Sequence, residues 1–205
     1  MAHIPDGILS APVLAGGAVL AAAGVAYGLR QLNDRMIPRA AILSAALFAG
    51  SLIAVPVGPS SVHLLFSGLL GIMLGPAAFL AVLVALLLQA LLFGFGGLTT
   101  LGVNTVNIAL PGVLVGMALG PVIRSSSSRP ALRIAASALA GALPVLGTGL
   151  LVALSLRLSS SDYTPVAQVM IATYLPLAVG EGFVTAAAIA FLSRLQPEAL
   201  RPVRP

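Results

Sequence analysis

Residues 77–93 read Ala-Ala-Phe-Leu-Ala-Val-Leu-Val-Ala-Leu-Leu-Leu-Gln-Ala-Leu-Leu-Phe, an apolar run with a single polar side chain, Gln89. About 20 such residues cross the hydrocarbon core of a bilayer as an α-helix. Hydrophobic residues make up 59% of the 205-residue chain and charged residues 7%, whereas a soluble domain carries roughly 25% charged residues. The sequence therefore predicts an all-α membrane protein, and the lipid bilayer is its first partner.

Six further apolar runs give this helix its neighbours. With residues 77–93 included, the seven runs cover residues 9–29, 40–57, 62–74, 77–93, 103–123, 131–156 and 166–192. The third run is short for a span, so we expect it to begin within the membrane or to pack inside the bundle. Pro176 is expected to break the seventh run. We predict one domain over residues 1–205: an amino-terminal segment (1–8), a bundle of about seven transmembrane helices (9–193) and a cytoplasmic tail (194–205).

The basic residues predict the orientation of the bundle. All ten are arginines, so the positive charge indicates topology here and does not indicate nucleic-acid binding. With seven spans, nine arginines fall on one side of the membrane and only Arg157 on the other. Because cytoplasmic loops are enriched in Lys and Arg, the carboxyl terminus is expected in the cytoplasm and the amino terminus outside. A multi-pass protein of the inner (plasma) membrane follows.

The amino-terminal segment, Met1-Ala2-His3-Ile4-Pro5-Asp6-Gly7, has the composition of a metal chelator. The terminal amine, backbone amides and the His3 imidazole can close small chelate rings around one ion. If Met1 is retained, its amine completes a set of four nitrogens. If Met1 is removed, Ala2 supplies the amine and a fourth ligand is needed. Planar nitrogen sets favour Ni(II) or Cu(II), although His3 could equally be a surface histidine of a frayed terminus.

The second histidine of the chain, His63, could provide the fourth nitrogen. The predicted topology places His3 and His63 on the same, outer face of the membrane. His63 is therefore a candidate ligand, and the alternative is a helix-terminal histidine that bonds to the backbone. The chain has no cysteine, which excludes thiolate ligands and disulfides.

Uncharged polar residues near the outer face are candidates to support these ligands. Buried polar groups need partners, and they could orient imidazoles or bond between helices instead. The candidates are Ser61, Gln89, Thr99, Asn104 and Asn107.

Two acidic residues and one loop complete the candidates. Glu181 lies well inside the seventh run, where a carboxyl group indicates a functional role or a helix-to-helix hydrogen bond. Asp6 follows Pro5 and precedes Gly7, which predicts a turn that folds the terminus back. The glycine-rich loop at residues 94–102 lacks the Gly-Lys-Ser/Thr ending of a phosphate loop, so we expect it to admit close backbone approach of the terminus.

Several of these stretches together resemble the CbiM/NikM family, the substrate-capture membrane subunits of energy-coupling-factor (ECF) nickel and cobalt importers. The similar stretches are His3-Ile4-Pro5-Asp6-Gly7-Ile8-Leu9, Pro59-Ser60-Ser61-Val62-His63-Leu64-Leu65, Gly68-Leu69-Leu70-Gly71, residues 89–104 and Glu181-Gly182. The resemblance covers most of the chain.

The resemblance implies a transporter and not an enzyme. Its substrate would be Ni(II) or Co(II), held by a planar set of the terminal amine, the next amide and two histidines that match His3 and His63. It also implies a second transmembrane coupling subunit, cytoplasmic ATPase subunits and often a small accessory membrane subunit. Family members commonly begin Met-His, so removal of Met1 would restore the spacing here. Phe95 stands where some members carry a polar residue.

Three other functions fit parts of the sequence. An intramembrane serine protease would use Ser60 or Ser61 with His63, but no second motif supports it. A vitamin-binding subunit of the same importer class would need an aromatic-lined pocket, and only 5% of the residues are aromatic. A purely structural membrane subunit would bind no metal, and His3 would then be dispensable.

Overall fold

The computed structural model describes residues 3–53, 55–57, 60–125 and 127–200, with the backbone alone for residues 55–57 and 60–62. Within these residues the chain forms seven α-helices and one two-stranded antiparallel sheet. The elements are α1 (Ala11–Gln31), α2 (Met36–Ser51), β1 (Val55–Val57), β2 (Ser60–Val62), α3 (Ser67–Leu74), α4 (Ala78–Phe93), α5 (Leu101–Arg124), α6 (Pro130–Ser159) and α7 (Thr164–Leu195). Short 3-10 turns cover Gly75–Ala77, Ser161–Tyr163 and Pro197–Leu200.

The helices have the length and composition of membrane spans. Five apolar stretches of the described chain are long enough to cross a bilayer, and α2 is a shorter apolar helix. The five are Ala11–Gln31, Ser67–Phe93, Leu101–Arg124, Pro130–Ser159 and Ser161–Leu195. Large apolar side chains are exposed along these helices, for example Val179 and Phe183 on α7, as expected of surfaces that face lipid. The prediction of an all-α membrane bundle is confirmed.

The short third run is a broken crossing. Residues 63–66 are not helical, and α3 begins at Ser67 and has eight residues, which at 1.5 Å per residue is about 12 Å long. A sharp turn at Gly75, with φ of 55°, leads through the Gly75–Ala77 turn into α4. Contacts place Ser67 beside Gly112 in the middle of α5, and an Arg124 guanidinium donates to the Ile72 carbonyl at 2.9 Å. The helix α3 therefore starts in mid-bundle.

The two ends of the bundle differ in charge. Hydrogen bonds from Arg39 to the Met73 carbonyl and from Arg133 to the Ile123 carbonyl connect the ends of four helices, α2 with α3 and α6 with α5. Of the eight arginines in the described residues, seven lie at this end, which we call the arginine end: Arg30, Arg35, Arg39, Arg124, Arg129, Arg133 and Arg194. Arg157 lies at the opposite end together with His3, which we call the histidine end. Which end faces the cytoplasm stays a prediction from the arginine count.

Several predicted boundaries were wrong. The second run was expected to continue to residue 57, but α2 ends at Ser51. The strand β1 follows and pairs with β2, with Val57 opposite Ser60. Pro176 was expected to break the seventh run, but α7 continues through it to Leu195. Proline is tolerated inside membrane helices because neighbouring groups satisfy the freed carbonyl. Within the predicted tail, Leu200 is buried against the core.

Glycines set the distance between the central helices. A Cβ on Gly71 would overlap the Gly112 carbonyl oxygen, and a Cβ on Gly68 would overlap the Ala140 carbonyl oxygen. Backbones can approach this closely only where no side chain intervenes, as is common in membrane bundles. The half-helix α3 is thereby locked between α5 and α6.

Candidate metal centre

The amino-terminal segment is docked on α5 through the backbone of Ile4. The Ile4 amide donates to Asn104 Oδ1 at 3.0 Å, and Asn104 Nδ2 donates back to the Ile4 carbonyl at 3.0 Å. The Thr100 hydroxyl donates to the same carbonyl at 2.7 Å. Asn104 and Thr100 are buried, so the backbone next to His3 has its polar groups satisfied by the first turn of α5.

Asp6 provides a second anchor for the segment. Its carboxylate accepts from the Leu98 amide at 3.1 Å, the Thr99 amide at 3.0 Å, the Thr99 hydroxyl at 2.5 Å and the Thr100 amide at 3.3 Å. These donors precede α5, where the helix dipole also favours an anion. A Cβ on Gly97 would overlap the Asp6 carboxylate. The predicted close approach of the glycine loop and the terminus is thus present.

The two histidines meet at this docked terminus. The His3 and His63 rings are stacked, with centroids 4.8 Å apart and planes inclined by 16°. His3 is 5% exposed and His63 is 6% exposed. The two imidazoles are therefore direct neighbours in a place shielded from water, as two ligands of one ion would be. The structure therefore brings together the two side chains that the sequence selected as ligands.

The hydrogen bonds of His63 leave one ring nitrogen for a ligand role. The Nδ1 of His63 is 3.3 Å from the Leu64 carbonyl, and because a carbonyl only accepts, Nδ1 carries the proton. Nε2 then carries the lone pair, and it is buried with no hydrogen-bond partner among the described residues. Metal-binding histidines usually bond a carbonyl through their other nitrogen in this way. The Nε2 of His3 is buried and unpartnered in the same sense.

The other predicted residues lie at different distances from this pair. Gln89 is fully buried and donates to the Ser51 hydroxyl at 2.5 Å, so it joins α4 to α2. Asn107 is buried, and its Nδ2 lacks a partner among the described residues. Thr99 bonds Asp6, and Asn104 bonds the backbone of Ile4, as given above. Met1, Ala2 and the Ser61 side chain lie outside the described residues.

Glu181 lies elsewhere in the bundle. It is fully buried in the middle of α7, and its Oε1 accepts from the Leu65 and Phe66 amides, the latter at 2.9 Å. It therefore contacts the backbone just after His63.

Within the described residues, His, Cys, Asp and Glu side chains form no group of three or more that could hold a metal. The predicted ligand set does not need one, because the terminal chelate draws its other nitrogens from the main chain.

An apolar cleft of about 660 Å³ opens beside His3. It lies between the docked segment, the α4–α5 loop and the ends of α6 and α7, and Ile4, Phe95 and Met170 line it. Phe95 thus gives the cleft an aromatic, apolar wall. The cleft keeps the surroundings of His3 apolar.

Burial keeps the His3 imidazole neutral. Removal from water, with the neighbouring His63 ring as a smaller cause, lowers the pKa of His3 to about 3. A neutral imidazole can bind a metal without first losing a proton. The pKa of Asp6 is lowered by its hydrogen bond from Thr99 and by the backbone amides, so its carboxylate is ionised at neutral pH.

We expect docking of the terminus to weaken as the pH falls from about 6.5 towards 3. In this pH window the undocked His3, which has the ordinary pKa of 6.5, binds a proton that the docked ring does not bind. The docked state loses stability with falling pH, because the undocked state binds more protons. Asp6 acts in a lower window, since its docking energy is lost only as the pH falls below its ordinary pKa of 3.8. The protection factor of the Ile4 amide against hydrogen exchange, measured between pH 7 and 5, reports the loss of docking. A His3→Gln variant should show a weaker pH dependence, with the remainder due to the buried His63 ring, whose pKa is also lowered by burial. An unchanged profile in that variant would contradict the assignment to His3.

One residue of the docking site, Thr100, was missed by the sequence analysis. Thr100 and Asn104 are four residues apart and therefore share a helix face. This spacing could have identified Thr100 as a second polar contact beside Asn104. The left-handed Phe66, with φ of 48°, had no sequence signal, since glycine is the usual residue there.

Comparisons with known proteins find relatives that match almost the full length of this chain. The family described as "CbiM: Cobalt uptake substrate-specific transmembrane region" matches residues 3–199. The cobalt transport protein CbiM of Sorangium cellulosum is 33% identical over 214 residues, covering 97% of this chain and 94% of that protein. The fused nickel transport protein NikMN of Rhodobacter capsulatus is 32% identical over 227 residues, covering 98% of this chain and 65% of that protein.

A solved structure shows the same fold. A crystal structure described as a truncated transition metal transporter superposes with a TM-score of 0.79 at 26% identity, covering 94% of this chain and 98% of that chain. The family match spans nearly the whole chain, from the docked terminus to the turn after α7. The chain is a multi-pass membrane protein of the CbiM family, a component of cobalt and nickel transport systems, and it is not an enzyme.

Proposed function

We propose that the protein captures Ni(II), or Co(II), at its outer face and delivers it towards the cytoplasm. The observation that carries this proposal is the buried His3–His63 pair beside a docked amino terminus. The proposed ligands are the terminal amine (of Ala2 if Met1 is removed), the backbone amide of His3, the His3 imidazole and Nε2 of His63. The neutral His3 imidazole and Nε2 of His63 can both bind the metal without first releasing a proton.

The ligand set favours nickel over cobalt. Four nitrogens in a plane suit Ni(II) and Cu(II), which prefer tetragonal geometry. Copper would bind the same nitrogens, so its exclusion in the cell depends on metal availability. The names of the relatives include both cobalt and nickel, so the preference for nickel rests on ligand geometry.

The protein acts, in this proposal, as the substrate-binding subunit of an ECF-type importer. Its sequence has no nucleotide-binding motif, so cytoplasmic ATPase subunits would supply the energy through a second transmembrane coupling subunit. The relative named as a fused NikMN protein extends beyond the region that this chain matches, which supports association with a further membrane component. A structural subunit that binds no metal is the alternative.

Uptake of radioactive nickel into cells tests this assignment. Cells that express the chain with its coupling and ATPase subunits should accumulate nickel, and a Walker A lysine substitution in the ATPases should abolish accumulation. Cells that express the chain alone should accumulate little. Equal uptake with the inactive ATPases would contradict the ECF-type assignment and leave a facilitated carrier.

A further inference from the structure

The segment that carries His63 is held by unusual backbone interactions. Residues 63–66 are outside any helix or strand, between β2 and the mid-bundle start of α3. Phe66 is the only non-glycine residue with positive φ among the described residues. Such a conformation persists only where the surroundings impose it. Leu65 is fully buried, so this short segment is fixed in one path.

Glu181 imposes that path from α7. Its Oε1 accepts from two successive amides, Leu65 N and Phe66 N, which lie at the start of α3 and would otherwise be unsatisfied in the bundle interior. Removing such an acceptor leaves buried donors unpaired, and this is costly where water is absent. Glu181 therefore fixes the backbone position of the segment between His63 and α3.

The position of the His63 ring depends on this backbone. Leu65 is two residues from His63, and the ring is itself bonded to the carbonyl of Leu64. A shift of the Leu65 amide is therefore passed to the His63 ring through two residues of non-helical chain. By contrast, the side chains that hydrogen-bond to the docked terminus beside His3 come from α5 and the loop before it. The two histidines are thus held by different parts of the bundle.

Glu181 is itself held firmly. A Cβ on Gly141 would overlap the Glu181 carbonyl, and a Cβ on Gly182 would approach the Ala138 carbonyl to 2.9 Å. The helices α6 and α7 therefore pack backbone against backbone at this level. Because α6 and α7 are rigidly packed, the Glu181 carboxyl group can hold the His63 segment in one position.

We propose that Glu181 is a positioning residue for metal capture, which sets the approach of His63 to His3 by holding the amides of Leu65 and Phe66. This inference rests on the proposed function, because it concerns the affinity of the same metal site. Groups that orient metal-binding histidines typically change metal affinity by about 10-fold to 100-fold when they are removed. Glu181 would do so through the backbone and without touching the metal.

Nickel titration of purified full-length variants tests the proposal. Glu181→Leu keeps the size of the side chain and removes the acceptor, whereas Glu181→Gln keeps a carbonyl that can accept from both amides. We expect Glu181→Leu to weaken nickel binding about 10-fold or more and Glu181→Gln to stay within about threefold. Gly180→Ala is the matched control, since a Cβ there meets nothing within 4 Å, and it should bind as the unmodified protein does.

A double-mutant cycle separates positioning from a general loss of structure. If Glu181 acts through His63, Glu181→Leu should add less than about twofold to the loss already caused by His63→Ala. An equal additional loss in the two backgrounds would overturn the proposal, as would full affinity in Glu181→Leu. If His63→Ala alone leaves nickel affinity unchanged, His63 is not a ligand, and the proposed metal site and this inference both fail. Full affinity in Glu181→Leu together with weakened binding in His63→Ala would overturn this inference alone.

Hydrogen exchange decides the matter if Glu181→Leu does not fold. Glu181→Gln should then keep both the protection of the Leu65 and Phe66 amides and the nickel absorbance spectrum. Retained protection with a lost or altered spectrum would overturn the proposal, because the carboxylate would then act on the metal by another route.

Discussion

Replacement of His63 by alanine is expected to weaken nickel binding by more than about 100-fold, since loss of a group that merely supports a ligand already costs about 10-fold to 100-fold. Nε2 of His63 is buried without a partner among the described residues, and the His63 ring stacks on the His3 ring. Three nitrogens from the terminus would remain, so weak binding should persist. Titration followed by absorbance measures the loss.

The two histidines should differ in a defined way. His3→Ala removes the chelating imidazole of the terminus itself, so its loss should exceed that of His63→Ala. Gly180→Ala serves as the control, because a Cβ at Gly180 meets nothing within 4 Å. Nickel affinity that is indifferent to His63 would indicate that Met1 is retained and that the terminus binds the metal alone.

Substitution of Gly71 by alanine is expected to destabilise the bundle by about 3 kcal/mol or more, at the upper end of the cost of overpacking. The new Cβ would overlap the Gly112 carbonyl oxygen, which belongs to the backbone of α5 and cannot rotate away. The helix α3 would have to move, and the His63 segment would move with it. Thermal unfolding in detergent micelles should show a lower midpoint together with weaker nickel binding.

Gly16→Ala provides the matched control for Gly71→Ala. Gly16 lies in α1, and a Cβ there meets nothing within 4 Å. Alanine should stabilise this helix slightly, by about 0.5–1 kcal/mol, because glycine loses more backbone freedom on folding. If both substitutions shifted the unfolding midpoint alike, the close contact between α3 and α5 would not be the cause.

The sequence predicted the apolar spans and the two histidines because these signals are local. Apolar runs of sufficient length indicate membrane helices directly, and seven of the eight arginines in the described residues lie at one end of the bundle. The broken third crossing was visible as a run too short to span. The sequence could not predict that α7 continues through Pro176. A proline inside an apolar run looks the same whether or not neighbouring helices satisfy the carbonyl that it leaves without a donor.

The contacts that assemble the site could not be predicted in this way. The pairings of Ile4 with Asn104 and of Leu65 with Glu181 join residues that are 100 and 116 positions apart. Nothing in either local sequence specifies the partner, since Asn104 and Glu181 could each bond to any nearby helix. Only the packing of α5 and α7 around the half-helix α3 selects these pairs.

The most direct test of the proposed metal site is nickel titration of the purified protein with its native amino terminus, before and after acetylation of the terminal amine. Intact mass first establishes whether Met1 is present. We expect stoichiometric nickel with an absorbance spectrum typical of planar nitrogen coordination, and we expect acetylation to abolish it, because the amine is a ligand. Full nickel affinity after complete acetylation would contradict the proposed site.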